Sequence, residues 1–250
     1  MLAEQRYEAI LKILDERQSV TLPELKALLH TSESTIRRDL TALHRMGKLV
    51  KVFGGAVSAE WNYSTEEPVV TDREQVHIEA KQKIGSYAAT LVRPNSLVYL
   101  DAGTTTNCVI DHLTEASAIY VTNGIKHASR LSAQGFRVIL IGGEIKQVTE
   151  AVIGHEALHQ LQKYNFSMGF FGSNGITHRE GFTTPDPREA AIKEEAMNRC
   201  QQRYVLCDSS KFGQITPVTF SPFGRATILT ETSVEGFDDE NILVVPESIG

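Results

Sequence analysis

Two groups of residues in this 250-residue chain have the types and spacing to do chemistry. The first is Ser32-Glu33-Ser34-Thr35-Ile36-Arg37-Arg38-Asp39-Leu40. At helical spacing Ile36, Leu40 and Leu43 share one face, while Ser34, Arg38, Thr41 and Arg45 lie opposite. The apolar back can fix the helix to its neighbours, and the front can meet phosphates and base edges in a major groove. The plain alternative is a solvated charged face. The second group is Asp101-Ala102-Gly103-Thr104-Thr105-Thr106. A glycine and three hydroxyl residues opening a helix offer N–H groups, hydroxyl donors and a positive helix end, which suit a phosphate. Its plain alternative is an ordinary threonine-capped helix. It is not a Walker loop, because no lysine follows the glycine, and no Gly-x-Gly-x-x-Gly occurs.

The elements around the first group fit a three-helix head. Arg6, Ile10 and Leu14 recur at helical spacing, with Leu11 and Ile13 beside them, and predict a helix from about Ala3 to Glu16. Thr21-Leu22-Pro23-Glu24 reads as a capping box with proline in the first turn. It predicts a second helix to about Leu29 that buries Leu25, Leu28 and Leu29. The turn His30-Thr31 leads to Ser32 as N-cap of the third helix. Two short helices, a tight turn and a basic helix make the helix-turn-helix order. Lys48 to Phe53 alternates like a hairpin strand between Gly47 and Gly54-Gly55, a wing whose lysines would lie over flanking phosphates. The candidate DNA contacts are Ser32, Ser34, Thr35, Arg37, Arg38, Thr41, Arg45, Lys48 and Lys51.

Charge divides the same way. Residues 1–57 hold nine Lys/Arg against seven Asp/Glu, and the remainder sixteen against twenty-four. A net charge of −6 therefore leaves the head locally basic, which is the field a phosphate backbone meets. The domains expected are a winged helix-turn-helix at 1–57, a linker at 58–74 and an effector domain at 75–250. The linker holds Glu66-Glu67-Pro68, with Trp61 and Tyr63 expected to pack on the body. The start of the chain has no basic, continuously apolar leader, and no 18-residue apolar run follows. A cytoplasmic protein with no membrane partner is expected. Cys108, Cys200 and Cys207 lack metal spacing and read as buried or inert thiols. The eight histidines are scattered. Neither a metal nor a cofactor is expected.

From Arg73 to Leu91 the spacing predicts a helix. Seven short apolar runs then follow, at 97–100, 118–121, 138–141, 168–171, 204–207, 226–229 and 242–245. Helical stretches separate most of them, so the fold class is α/β, with a Rossmann-like, mostly parallel sheet covered on both faces. Ligands of such sheets bind beyond the strand carboxyl ends. There stand Thr122-Asn123-Gly124, Gly142-Gly143-Glu144, Gly172-Ser173-Asn174-Gly175 and Asp208-Ser209-Ser210-Lys211, together with Thr183-Thr184-Pro185-Asp186 ahead of a helix carrying Arg188, Glu189 and Lys193. Amides and carboxylates suit sugar hydroxyls, and a lysine suits a phosphate.

These residues carry a resemblance. Arg6 with its apolar repeat, Ser32-x-x-Thr35-Ile36-Arg37-Arg38-Asp39-Leu40 and Gly54-Gly55-Ala56 resemble the head of the DeoR-type transcriptional repressors. Lys51 and Phe53 stand where that family usually has Arg-x-His. From about Lys81 to Glu231 the chain also resembles the sugar-phosphate-binding body of the family, itself similar to ribose-5-phosphate isomerase and hexosamine-phosphate deaminases. The resemblance implies effector binding by Asp101, Gly103, Thr104, Thr105, Thr106, Thr122, Asn123, Asn174, Asp186, Lys193 and Lys211. The isomerases place paired acids after the fourth strand, whereas Ser173-Asn174-Gly175 stands here and cannot supply a carboxylate base. The run Gly181 to Ala190 and Tyr99-Leu100-Asp101 most resemble repressors of fructose operons, whose effector is usually fructose 1-phosphate. Lactose/tagatose phosphotransferase repressors come next. A repressor binding double-stranded operator DNA as a homo-oligomer, dimer or tetramer, and released by a phosphorylated sugar is thus expected. The rivals are a sugar-phosphate isomerase or deaminase with an accessory head, and an activator.

Overall fold

The computed structural model describes residues 3–17, 19–52, 55–58 and 70–246. Phe53, Gly54, Trp61, Tyr63 and the Glu66-Glu67-Pro68 run lie outside those residues. The chain divides into two compact units, Met1–Ser64 and Thr65–Gly250.

In the first unit, α1 (Ala3–Arg17) is followed by β1 (Ser19–Thr21), α2 (Leu22–Leu29) and α3 (Glu33–Arg45). A hairpin of β2 (Leu49–Val52) and β3 (Gly55–Ser58) completes it. The capping box forms as expected: the Glu24 amide donates to Thr21 Oγ1 at 3.3 Å, and the Thr21 amide to Glu24 Oε2 at 2.8 Å. Ser32 Oγ caps α3 by accepting from the Thr35 amide at 3.3 Å. Ile10, Leu14, Leu25, Leu29, Ile36, Leu40 and Leu43 form the core. Leu28, expected inside, is instead 43% exposed. Leu22, Leu25 and Leu29 make the buried stripe, and at about 100° per residue Leu28 points about 90° away from it. The hairpin gains a third strand that the sequence does not signal, β1, in the order β1-β3-β2. Three residues are too few to show alternation.

Arg6 heads the α1 stripe for a reason that only its partner reveals. Its Nε and Nη2 donate to the two carboxylate oxygens of Asp39 at 2.7 and 3.0 Å. Asp39 is buried within α3. A bidentate guanidinium–carboxylate pair fixes direction as well as distance, so it sets how α3 lies on α1.

The second unit opens with α4 (Val70–Gln75), which begins inside the interval read as linker, and α5 (Ile78–Thr90). The single helix expected over 73–91 is therefore two. His77, at φ 53°, sits in the left-handed region between them and ends the first. Then come β4 (Leu97–Leu100), α6 (Thr104–Val109), β5 (Ile119–Thr122), α7 (Ile125–Ala133) and β6 (Arg137–Leu140). The hairpin β7 (Glu144–Lys146) and β8 (Ala151–Ile153) leads to α8 (His155–Leu161) and β9 (Phe166–Gly172). After β10 (Gly175–Thr177) and β11 (Gly181–Thr184) come α9 (Pro187–Asn198), β12 (Cys200–Leu206), β13 (Val218–Ser221), β14 (Thr227–Thr230) and β15 (Ile242–Val244).

All seven expected strands join one parallel sheet in the order β15-β14-β12-β9-β4-β5-β6. Each was located within a few residues of its observed bounds by its apolar run. The chain winds outward from β4 to β6, then returns to β9 and winds the other way, so the direction reverses between β4 and β9. Alternate residues feed two cores. Tyr99 and Phe171 face the side covered by α8 and α9, while Val98, Leu100 and Phe170 face the side of α5 and α6. The β7–β8 hairpin and the antiparallel β10-β11-β13 sheet are additions that continuous apolar runs do not announce. Among the described residues no helix is long and apolar enough to cross a membrane, and no cluster of His, Cys, Asp or Glu could hold a metal. The three cysteines are buried and unpaired, and burial pushes Cys200 and Cys207 up to about 12.

One helix crossing depends on a missing side chain. A Cβ on Gly85 would lie 2.7 Å from the carbonyl carbon of Cys108 and 2.9 Å from its Cβ. In an open helix Gly→Ala stabilises by about 1 kcal/mol. Here Gly85→Ala is expected to do the reverse, destabilising by about 1–3 kcal/mol through overpacking. Thermal denaturation checks the sign, and a raised Tm would mean that α5 and α6 separate freely.

Candidate functional site

The front of α3 is exposed where its back is buried. Arg38, Arg45 and Lys48 are exposed, and their side chains have no ion-pair or hydrogen-bond partner among the described residues. The other candidates are already engaged within the head. Arg37 donates to Glu33 Oε1 one helical turn away, at 2.6 and 3.0 Å. Lys51 Nζ donates to Thr41 Oγ1 at 2.8 Å, tying the wing to α3, and Thr41 Oγ1 in turn donates to the Arg37 carbonyl. Ser32, Ser34 and Thr35 share a hydroxyl cluster at the helix start, with Oγ–Oγ and Oγ–Oγ1 distances of 3.0 and 2.9 Å from Ser32. The three unpartnered cations can exchange water for phosphate at the lowest cost.

In the second unit the loops after β4 and β9 meet where the sheet reverses. Asp101 Oδ2 accepts from the Gly172 amide at 3.0 Å and from Lys193 Nζ, and Lys193 Nζ donates to the Gly172 carbonyl at 3.0 Å. Both side chains are almost fully buried. Lys193 comes from the second turn of α9, whose N-cap is Asp186. Of the expected effector residues, Asp101, Gly103, Thr106, Asn123 and Lys193 are therefore drawn together.

Several of these are committed to holding the loop itself. Thr106 Oγ1 accepts from the Gly103 amide at 3.0 Å and lies 2.6 Å from the Asp101 carbonyl and 3.2 Å from His127 Nε2. Asn123 Oδ1 accepts from Tyr99 Oη and from the Ala102 amide, both at 3.0 Å, and its Nδ2 donates to Val152. Thr122 Oγ1 accepts from the Gly124 amide at 3.0 Å. Thr105 is buried, and Thr104 lines a pocket.

Asn174, Asp186 and Lys211 make no hydrogen bond or ion pair with the Asp101–Lys193 group. Asn174 Oδ1 accepts from Thr184. Although burial alone would raise it, hydrogen bonds from Arg188 and Lys146 bring Asp186 down to about 2. Lys146 also reaches Glu189 at 3.3 Å, and Glu189 accepts from Thr149 Oγ1 at 2.5 Å. Lys211 lies near Lys81, which burial pulls below its ordinary value; Asp208 opposes that shift and Lys211 adds to it.

Residues outside the sequence-derived set complete the area. Val70 and Glu74 of α4 line a narrow pocket with Gly103, Thr104, Asn107 and Lys126. Beside it an open groove of about 490 Å³, within the usual size range for small-molecule sites, includes Lys126, Ser129, Arg130 and Gln147. Lys126 stands in the first turn of the helix after β5, so extending the strand-end motif by two residues would have found it. Asn107 lies one turn into α6 and could have been found the same way. No local signal marks Glu74, whose partner Lys126 is 52 residues away.

Residues 6–61 match the family described as DeoR-like helix-turn-helix domain, and residues 76–232 that described as DeoR C terminal sensor domain. The uncharacterized HTH-type transcriptional regulator FruR of Bacillus subtilis (strain 168) is 37% identical over 250 residues, 98% of this chain and 99% of FruR. IolR of the same organism is 33% identical over 89% of this chain and 87% of its own. The lactose phosphotransferase system repressor of Streptococcus mutans is 31% identical over 97% of this chain and 96% of its own. Among solved structures, ribose 5-phosphate isomerase A from Methanocaldococcus jannaschii aligns over 54% of each chain at 14% identity with a TM-score of 0.39, a slight likeness.

His127, against the loop at Thr106, gives the pocket a pH signature. Burial pulls its pKa down to about 4, partly offset by Asp101, so the folded ring stays neutral. The unfolded histidine takes up its proton near 6.5. Its contribution is therefore intact above that value and lost as the pH falls toward 4, by about 3 kcal/mol at the lower end. His127→Gln, which cannot charge, is expected to flatten the stability–pH curve between 4 and 6.5 in urea titrations. An unchanged slope would rule out a neutral buried ring.

Proposed function

The chain belongs to the DeoR family of helix-turn-helix transcriptional regulators, and from that footing we propose that it represses a carbohydrate-utilisation operon, fructose first, until a phosphorylated sugar such as fructose 1-phosphate fills the strand-end crevice. The observation that carries the DNA half is the bare front of α3, where Arg38 and Arg45 stand unpartnered above a helix back locked by Arg6–Asp39. The fructose reading rests on the resemblance of the Gly181 to Ala190 run and Tyr99-Leu100-Asp101 to fructose-operon repressors, beside the likeness to the regulator FruR over nearly the whole chain. The lactose phosphotransferase system repressor, similar over nearly the whole chain, supports lactose or tagatose as the second reading.

The effector half is supported by the sensor-domain match and by the crevice residues. Lys126 supplies a cation, and Thr104 and Asn107 supply polar atoms beside it. The relatives are named as regulators, and Ser173 holds the turn where an isomerase would need an acid, its Oγ donating to Gly175. The regulator works in the cytoplasm as a homo-oligomer whose heads engage repeated half-sites. Effector binding biases the body toward an arrangement in which those heads no longer match that spacing. A coupling of about 1–3 kcal/mol would change operator affinity about 5–150-fold.

Titration of an upstream promoter fragment, with and without fructose 1-phosphate and tagatose phosphates, tests both halves. Specific binding that weakens with one sugar phosphate supports the proposal; binding no tighter than to random DNA overturns it. Arg38→Ala is expected to weaken operator binding and lower the slope of log affinity against log salt by about 1, since one cation facing phosphate is lost. Unchanged affinity and slope would move the reading face elsewhere.

A further inference from the structure

The pocket beneath α4 contains two features that the fold does not explain. Lys126 stands in the first turn of the nine-residue helix α7, at the end where the helix dipole repels a cation. A nearby anion offsets that repulsion, and the one it has comes from outside its own element: Glu74 Oε1, 2.5 Å from Nζ. The second feature is Asn107. It is 9% exposed, lines the same pocket, and its Oδ1 has no hydrogen-bond partner. A buried acceptor left bare costs about 1–3 kcal/mol. Such a group at a pocket wall takes its donor from a water or from a ligand that displaces it.

The two positions specify one chemistry. A cation and an acceptor lining the same pocket fit a molecule carrying an anionic group and a hydroxyl. Lys126 also borders the open groove, so it can be reached from solvent. Its side chain is 42% exposed and that of Glu74 only 22%. The carboxylate is thus the more enclosed partner.

We propose that Glu74 holds the effector's place: its carboxylate occupies the position on Lys126 that the phosphate of the sugar takes, and Asn107 Oδ1 accepts from a hydroxyl of that sugar. This rests on the sugar-phosphate reading above and assigns it residues and a switch. The effector binds by exchange, trading the Lys126–Glu74 pair for a Lys126–phosphate pair. What it releases is α4. That helix is also held by the Val70 amide on the Val148 carbonyl at 3.0 Å and by Lys81 Nζ on the Arg73 carbonyl, among other contacts. Along the chain α4 is the first described element after the head unit, so a ligand that competes with Glu74 acts on the segment that leads to the DNA-binding helices.

Isothermal titration of the full-length protein with fructose 1-phosphate and with inorganic phosphate tests the exchange. Glu74→Gln removes the competitor and is expected to tighten binding of both probes about two- to fivefold, the worth of a partly exposed ion pair. Lys126→Gln is expected to weaken both by about tenfold or more, as loss of a charge-assisted hydrogen bond does. Asn107→Ala should weaken fructose 1-phosphate while leaving inorganic phosphate unchanged, since only the sugar carries the hydroxyl. Hydrogen exchange of the α4 amides should quicken when the sugar phosphate binds wild type. If wild type binds neither probe nor any other sugar phosphate, the effector reading falls and this proposal with it. If wild type binds but Glu74→Gln leaves affinity unchanged or weaker, or α4 becomes more protected, the effector reading stands and the stand-in role of Glu74 is wrong.

Discussion

The reversal of winding between β4 and β9 governs the sensor unit. Neighbouring parallel strands whose connections leave in opposite directions cannot close the space beyond their own ends. In this protein the buried Asp101–Lys193 pair spans it, with both groups anchored to the Gly172 backbone. Two charges are taken out of water there, and such a pair is retained at little net gain. Removal of either partner alone would strand the other, at a cost of about 3–5 kcal/mol. The pair thus acts more as a geometric constraint than as a source of stability. It sets how far apart the two loops stand and how α9 approaches them.

From that constraint the rest of the crevice follows. With Asp101 fixed, the backbone carbonyl behind it positions Thr106, whose hydroxyl folds the Gly103 turn onto His127. Asn123 ties the end of β5 to β4, to the same turn and to β8 through three hydrogen bonds. The polar residues nearest the strand ends are thereby used up in shaping the loop. Binding capacity passes to groups one helical turn further on, Thr104, Asn107 and Lys126. A strand end provides the frame, and the first turns of the following helices provide the ligands.

The head is built on a similar division of labour. Arg6 and Asp39 lock the back of α3, so the front can stay charged without the helix rolling. Glu33 balances Arg37, and Thr41 takes Lys51, leaving Arg38, Arg45 and Lys48 as unpaired charge among the candidate DNA contacts. Fewer free cations make for a more selective grip, because a uniform basic surface would bind any duplex.

Elements defined over a few consecutive residues could be read directly. The Thr21–Glu24 box, the Ser32 cap, the Ile36-Leu40-Leu43 stripe and the seven apolar runs all act within one turn or one strand, and all are present. β1 and the β7–β8 hairpin were not legible, because three-residue strands show no period and exist only through their pairing. Leu28 was misjudged because being apolar does not say which way a short helix faces. The residue types of the site were legible at strand ends, but which of them bond to each other was not. Arg6 meets Asp39 across 33 residues, Glu74 meets Lys126 across 52, and Lys193 meets Asp101 across 92. Hydrogen-bonding capacity is a property of the side chain and travels with the sequence. Partnership depends on where the winding of the sheet carries each strand end, so it exists only once the chain has closed on itself.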